Sequence, residues 1–467
     1  MTTRLGERIL DRAAGSRPIP GNAVDLLIDG PEAYPAMLDV IARAERWIHF
    51  ENYIIRSDAT GWRFAEALAK RAKEGIAVRV LADWFGCIGT RQKLWRYLRA
   101  AGIEVRLFQP FTFVDPLSNI GRDHRKLVTA DGRDAVIGGL CIGDEWSGDV
   151  SKGALPWRDT AVRIRGPACG SLDAAFGRAW RTVGEGIADS EGPGVIAEQG
   201  EAAVRVVAGE PGQARTYRLL TAVAAGAESR LWITDAYLAP PPPLRTALID
   251  AARDGCDLQL LVPGMSDLPL VRNLSRVGYR DLLREGIRIH EWQGPMLHAK
   301  TFVADGRMSR VGSTNLNYAS LLGNWELDVL VEDPALGLAL EGRYRKDVLD
   351  SVEVVRRVAA APVPLRGWIP EGIAVPKASE ISRHRATMRE RRRRATITLY
   401  SIAAGASRSL FIPLFVALLV LAITAFFLPR TVAAGMILVA FWLLQSAARQ
   451  ARRGRPDVSP TDWARKA

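Results

Sequence analysis

The chain has 467 residues, enough for two or more domains with substantial cores, ordinary apolar content and a formal net charge of +12. Cys87, Cys141, Cys169 and Cys256 show no C-x-x-C spacing, which argues against a disulfide framework or a zinc site and fits a reducing, cytosol-facing environment. Residues 381–467 carry 15 Lys and Arg against 3 Asp and Glu, leaving 48 against 48 in residues 1–380. A nucleic-acid enzyme carries its basic footprint on the binding domain itself. Here the excess sits on the tail, so a membrane surface is the expected partner and nucleic acid is not.

Residues 1–30 are polar and punctuated by Pro and Gly, and read as a loosely docked lead-in. Residues 1–21 have no apolar run of signal-peptide type, so no secretory signal is expected. A helical pattern over 33–44 leads to a strand at 47–55. A helix at 62–73 ends at Glu74-Gly75 before a strand at 76–82. Another helix ends at Gly102 before a strand at 103–108.

The same order returns downstream. A strand at 231–237 is followed by a helix at 244–253, a strand at 258–262, a helix ending at Gly286 and a strand at 287–292. Corresponding points lie 184 apart for Tyr53 and Tyr237, 180 for Gly75 and Gly255, 184 for Gly102 and Gly286, and 174 for His124 and His298. Offsets this constant mean an internal duplication. The fold class is therefore α/β, with two similar halves at 31–183 and 204–355, each a mixed or parallel sheet flanked by helices, joined by a Gly-rich linker at 184–203.

After a Pro-spaced, Arg-rich connector at 356–408, residues 410–428 contain no charge and are long enough for a bilayer core of about 30 Å. Pro429-Arg430 breaks the run, and 431–447 forms a second, shorter span. A transmembrane hairpin at 409–448 is expected, with a basic tail at 449–467. Basic clusters on both flanks place both ends, and the catalytic part, on the cytoplasmic side of the cell membrane.

Two stretches read H-x-K-x(4)-D: His124, Lys126 and Asp131, then His298, Lys300 and Asp305. On a strand, His and Lys at i and i+2 share a face. Each Asp is followed by Gly, a hairpin signal, and each copy then meets small residues, Gly138-Gly139 and Gly312-Ser313. The pattern resembles the phospholipase D motif, which implies that the lysines stabilise charge on a phosphodiester in its transition state while one imidazole attacks phosphorus and the other protonates the departing alkoxide, with the roles then reversing. Asp131 and Asp305 equally suit a turn-stabilising role. His49 and His290 lack the H-x-K context and read as packing residues. His384, in a basic run, reads as solvated.

The paired motif resembles the phospholipase D superfamily, and within it the bacterial cardiolipin synthases, on Asp123-His124-Arg125-Lys126, Ile137-Gly138-Gly139, Trp157-Arg158-Asp159-Thr160, Leu297-His298-Ala299-Lys300, Gly312-Ser313-Thr314-Asn315-Leu316 and Trp325-Glu326-Leu327. The resemblance implies an active site between two α/β halves and phosphodiester chemistry without metal or cofactor. It makes His124 the nucleophile and His298 the acid/base, with Asp159 orienting His124 and Glu326 orienting His298. Asn315, Gly139 and Ser313 are supporting residues. Cys141 stands where the family carries Asn, so the first half-site is expected to differ from the second.

The implied activity is a membrane-bound phosphatidyltransferase that passes a phosphatidyl group from phosphatidylglycerol to a second phospholipid. The alternatives are a phospholipase D hydrolase, a phosphatidylserine synthase-like transferase and a phospholipase D-like nuclease.

Overall fold

The computed structural model describes residues 4–110, 121–148, 153–188, 192–355 and 445. Helix α1 (Arg4–Ala14) and strand β1 (Ile19–Ile28) open the chain. They are followed by α2 (Asp29–Arg43), β2 (Trp47–Asn52), α3 (Ala59–Lys73), β3 (Ala77–Asp83), α4 (Gln92–Ala100) and β4 (Glu104–Phe108). The first half closes with β5 (Lys126–Ala130), β6 (Asp134–Gly138), α5 (Asp144–Ser147), β7 (Thr160–Arg165) and α6 (Ala168–Arg181).

The second half repeats the series. It runs β8 (Ala202–Gly209), α7 (Arg215–Gly226), β9 (Arg230–Thr234), α8 (Pro242–Arg253), β10 (Asp257–Pro263), α9 (Pro269–Arg284) and β11 (Arg288–Trp292). Then come β12 (Thr301–Ala304), β13 (Met308–Gly312), β14 (Glu326–Glu332), α10 (Pro334–Leu349) and a short β15 (Ser351–Glu353).

The strands form one sheet of 15 in the order β15-β11-β10-β9-β12-β13-β14-β8-β1-β7-β6-β5-β2-β3-β4. Read outward from the centre, seven strands of each arm correspond and β15 adds an edge to the second, so the sheet is mixed and built from two phospholipase D-like halves. In each arm three strands run parallel and the rest pair antiparallel. Residues 19–28 were expected to be a loose lead-in. They are instead an integral strand, paired with β7 through six residues and with β8. Pro and Gly at its start hid a strand whose apolar register only its neighbours complete.

Local sequence explains the element ends. The Asp58 side chain accepts from the Gly61 N–H at the start of α3, and Gly75 leaves it at φ +90°. Asp131-Gly132 and Asp305-Gly306 both have positive φ at two consecutive positions, as the centre of a type I′ turn requires, and each hairpin closes over three residues, with Ala130 paired to Asp134 and Ala304 to Met308.

One apolar core lies between the first arm and α2, α3 and α4. A second packs Phe176 and Trp180 of α6 against Val204, Val206, Val311 and Leu327, so the halves share a core as well as a sheet. Among the described residues no helix is long and apolar enough to cross a membrane. The expected hairpin at 409–448 and the Arg-rich segment before it lie outside the described residues.

Candidate active site

His124 and His298 stand just before β5 and β12, at the carboxyl ends of the parallel strands beside them. Each is stitched to the opposite half. The His124 N–H donates to Trp325 O at 2.9 Å and the Trp325 N–H donates to Arg122 O at 2.9 Å. In the twin, the His298 N–H donates to Arg158 O at 2.7 Å and the Arg158 N–H to Met296 O at 2.9 Å. The two histidine segments therefore meet at the junction of the halves.

The side chains follow the same crossing. His124 Nδ1 lies 3.0 Å from Glu326 Oε2, and His298 Nδ1 lies 2.7 Å from Asp159 Oδ2. This reverses the expected pairing of Asp159 with His124 and Glu326 with His298. The cause is topological. The segments leading into β7 and β14 lie next to the central strands, so each reaches across the junction to the other half's histidine.

Each carboxylate is held differently. Ser313 Oγ donates to Glu326 Oε2 at 2.5 Å and accepts the Leu327 N–H at 2.9 Å. Asp159 Oδ1 accepts the Thr160 N–H at 2.8 Å, and its Oδ2 accepts from Trp146 Nε1 at 3.2 Å. Gly139 occupies the place of Ser313 in the first half. A Cβ there would lie 2.1 Å from Asp159 Oδ1. The shorter aspartate brings its carboxyl against the backbone, and only glycine leaves it room.

Lys126 and Lys300 are fully buried, and each Nζ donates to the carbonyl of its own histidine. The ammoniums lie 5.1 Å from the Tyr53 ring and 5.8 Å from the Tyr237 ring. Burial pushes Lys300 down to about 8, with Asp159 opposing and the Lys126 charge adding to the fall. Burial and the Lys300 charge likewise push His298 down to about 4, against the pull of Asp159. His124 is also lowered, first by burial, with Glu326 opposing. Asp159 stays below the ordinary carboxylate range because His298 and Lys300 outweigh its burial. Both imidazoles are thus neutral near pH 7. Each presents Nδ1–H to a carboxylate and keeps Nε2 free of partners among the described residues.

The other expected residues divide. Asn315 is buried with Nδ2 3.5 Å from Ser320 Oγ and its Oδ1 unpartnered. Cys141, its counterpart, is a buried thiol pushed up by desolvation and pulled down by Lys126. Asp131 and Asp305 were placed with the catalytic set, but they lie at the far ends of β5 and β12 from the histidines. Asp131 accepts the N–H groups of Glu45, Arg46 and Trp47 at 2.8–3.0 Å. Asp305 accepts those of Glu228, Ser229 and Arg230 at 2.8–3.1 Å. Each carboxylate caps the chain entering the strand next door, a structural task. His49 bonds Asp173 at 2.8 Å and stacks on Phe176, and His290 lies 3.2 Å from Gln259 Oε1; neither is at the site.

Several site residues escaped the sequence reading. Tyr53 packs edge-on to His124, while Trp146 and Tyr237 pack against His298, beside Trp157 of the Trp-Arg-Asp-Thr motif. Tyr53 and Tyr237 were already visible as duplicated positions, and that repetition was the available signal. Arg125, between His124 and Lys126, is fully buried and donates to the carbonyls of Glu326, Ala175 and Gly209 at 2.9–3.2 Å. It anchors the backbone of the residue that holds His124. Arg158 is its counterweight, bonding Asp347 on α10 at 2.9 Å. Among the described residues no group of three or more His, Cys, Asp or Glu is placed to hold a metal ion.

Two free Nε2 atoms flanked by two ammoniums can grip an anionic phosphodiester and offer it a nucleophile and a proton carrier. A family model described as "Cardiolipin synthase, PLD-like domain" matches residues 37–144 and 220–347. The cardiolipin synthase of Geobacillus thermodenitrificans is 33% identical over 325 residues, covering 68% of this chain and 64% of the relative. That of Oceanobacillus iheyensis is 31% identical over 344 residues, covering 72% and 71%. The chain thus spans less than two thirds of the length of the first of these. The crystal structure of phosphatidylserine synthase from Haemophilus influenzae shares the fold, with a TM-score of 0.58 at 13% identity, covering 83% of this chain and 99% of that one. By motif, by duplicated architecture and by the extent of these matches, the chain belongs to the cardiolipin synthase family of phospholipase D-like proteins.

Proposed function

We propose that the chain is a phosphatidyltransferase that joins two phosphatidylglycerol molecules into cardiolipin and releases glycerol. The observation that supports this most is the crossed pair of histidines, each with Nδ1 on a carboxylate of the other half and a buried lysine beside it. In the first step His124 Nε2 bonds to phosphorus and the P–O bond to the glycerol headgroup breaks. His298 gives its proton to that glycerol oxygen. In the second step His298 takes the proton from a headgroup hydroxyl of another phosphatidylglycerol. That oxygen then bonds to phosphorus and frees His124. Lys126 and Lys300 hold charge on the non-bridging oxygens, which grows in the transition state. The anion between them also counters the charge that holds His298 down, so proton uptake accompanies binding.

The reading extends to organisation: halves at 31–183 and 204–355, and a two-span anchor at 409–448 that keeps the site on the cytoplasmic face. Incubating the purified full chain with phosphatidylglycerol labelled in its headgroup glycerol tests the activity. Cardiolipin and free labelled glycerol are expected. Phosphatidic acid with no cardiolipin would instead make water the acceptor and the enzyme a hydrolase.

A further inference from the structure

The loops that follow β3 and β10 are equivalent by the duplication, and both carry exposed apolar tips. Phe85 and Met265 stand 180 residues apart and are 57% and 62% exposed. Ile88 and Leu268 stand at the same offset and are 68% and 49% exposed. Leaving one large apolar side chain in water is ordinary. Repeating the same spaced pair at the same place in both halves is not.

Both loops are tied to the histidines. Asp83 accepts from the Gly86 N–H within the first loop and from the Asp123 N–H directly before His124, each at 2.9 Å. Asp267, between Met265 and Leu268, accepts from Tyr237 OH at 2.7 Å, and the Tyr237 ring packs against His298. The tips therefore stand beside the two histidines, one loop in each half.

The charge behind them is one-signed. Between Asp83 and Glu104 the chain carries Arg91, Lys93, Arg96 and Arg99 and no acidic residue. Between Asp267 and Asp281 it carries Arg272, Arg276 and Arg280, again with no acidic residue. Arg276 is engaged by Glu291 and Arg272 by the Gly264 carbonyl, but Arg91, at the N-cap of α4, and Lys93, in its first turn and 5.8 Å from the Trp62 ring, are exposed. Cations there oppose the helix dipole, so they do not serve the helix.

We propose that these twin loops form a docking surface for an anionic lipid bilayer, with Phe85, Ile88, Met265 and Leu268 inserted below the headgroups and the basic segments lying against them. Two separate apolar points backed by cations suit a fluid, negatively charged interface. The proposal deepens the phosphatidyltransferase reading and rests on it, since a diacyl donor must pass from the bilayer into the cleft.

The test uses the full chain reconstituted into vesicles of phosphatidylglycerol and phosphatidylcholine. The native cysteines are buried, so a fluorophore can be placed on Phe85→Cys, Met265→Cys or Val195→Cys. Val195, 99% exposed in the linker, serves as the control. Nitroxide-bearing acyl chains should quench the label at positions 85 and 265 several-fold more than at 195. Equal quenching at all three positions would overturn the proposal. So would a label response to added unlabelled protein rather than to lipid, which would make the surface a contact between copies.

As a second arm, Phe85→Ser, Ile88→Ser, Met265→Ser and Leu268→Ser combined should lower turnover on vesicles by about tenfold or more, given the transfer cost of the lost apolar surface. Turnover of short-chain phosphatidylglycerol dispersed as monomers should be kept. An equal fall on both substrates would overturn the docking role. Lipid products are read on the same samples. Quenching without cardiolipin would refute the activity and leave the docking, whereas cardiolipin without quenching would do the reverse.

Discussion

Asp159 Oδ2 lies 2.7 Å from His298 Nδ1, across 139 residues of chain and the boundary between the two halves. In the proposed mechanism the aspartate fixes the tautomer that leaves Nε2 available and favours the imidazolium formed during turnover. Asp159→Asn keeps the size and loses both effects. It should lower kcat on the order of 10⁴-fold, as removal of an orienting carboxylate does elsewhere. Glu326→Gln should act comparably on His124. Product formation under saturating lipid, with circular dichroism as a check on folding, measures it. A loss below tenfold would remove the carboxylates from the mechanism.

Gly139 and Ser313 occupy equivalent places yet should respond unequally. Gly139→Ser sets a side chain 2.1 Å from Asp159 Oδ1, so the carboxylate must leave His298 and activity should collapse. Ser313→Gly removes the hydrogen bond to Glu326, at a cost of about 1.5–3 kcal/mol for a bond to a charged group, together with the side-chain acceptor of the Leu327 N–H, but sets no atom against the carboxylate. Parallel assays of the two variants decide. Equal losses would refute the asymmetry.

The charge state of the free site is directly measurable. His298, pushed down to about 4, and His124, also lowered, should both be neutral at pH 7, with imidazole titrations below the ordinary value of about 6.5 in NMR spectra. Binding of a phosphonate analogue should then take up protons, seen as a buffer-dependent enthalpy in calorimetry. Lys300 is pushed down to about 8 and is charged only below that value. Affinity for the analogue should therefore fall as pH rises through about 8. An enthalpy independent of buffer would contradict the proton uptake.

Asp131 and Asp305 should behave as structural residues. Asp131→Ala leaves three backbone N–H groups without their acceptor and should cost about 3 kcal/mol of stability, while kcat of the folded protein stays near the parent value. Hydrogen bonds from Glu228, Ser229 and Arg230 outweigh burial and hold the Asp305 carboxyl below its usual range. The stability it adds is therefore complete above about pH 4 and lost as pH falls further. Denaturant titration of Asp131→Ala, together with its kcat, measures the first point. A variant with parent stability and no activity would return Asp131 to the catalytic set.

The paired H-x-K motif and the constant offsets carried the architecture, because strand spacing and duplication are local properties of a sequence. The partners of the histidines were not legible. Asp159 is 35 residues from His124 and 139 from His298, and nothing in that spacing says which half of the sheet its segment faces. Arg125 was equally silent, since a cation inside an H-x-K motif reads as another phosphate ligand. Its three bonds to carbonyl oxygens come from three distant segments. Strand β1 was missed because Pro20 and Gly21 mask a register that β7 supplies.

The continuity of the sheet through β1 and β8 limits how the enzyme can handle its two substrates in turn. On the proposed phosphatidyltransferase reading, glycerol leaves and a second lipid enters while the phosphatidyl group stays bonded to His124. Many enzymes with a cleft between two lobes make such an exchange by swinging the lobes apart. Here that swing would tear the β1–β8 pairing and the shared core, and would pull each imidazole from its carboxylate in the same movement. On that reading the site behaves as a fixed doorway, with alcohols passing one at a time beside the loops after β3 and β10.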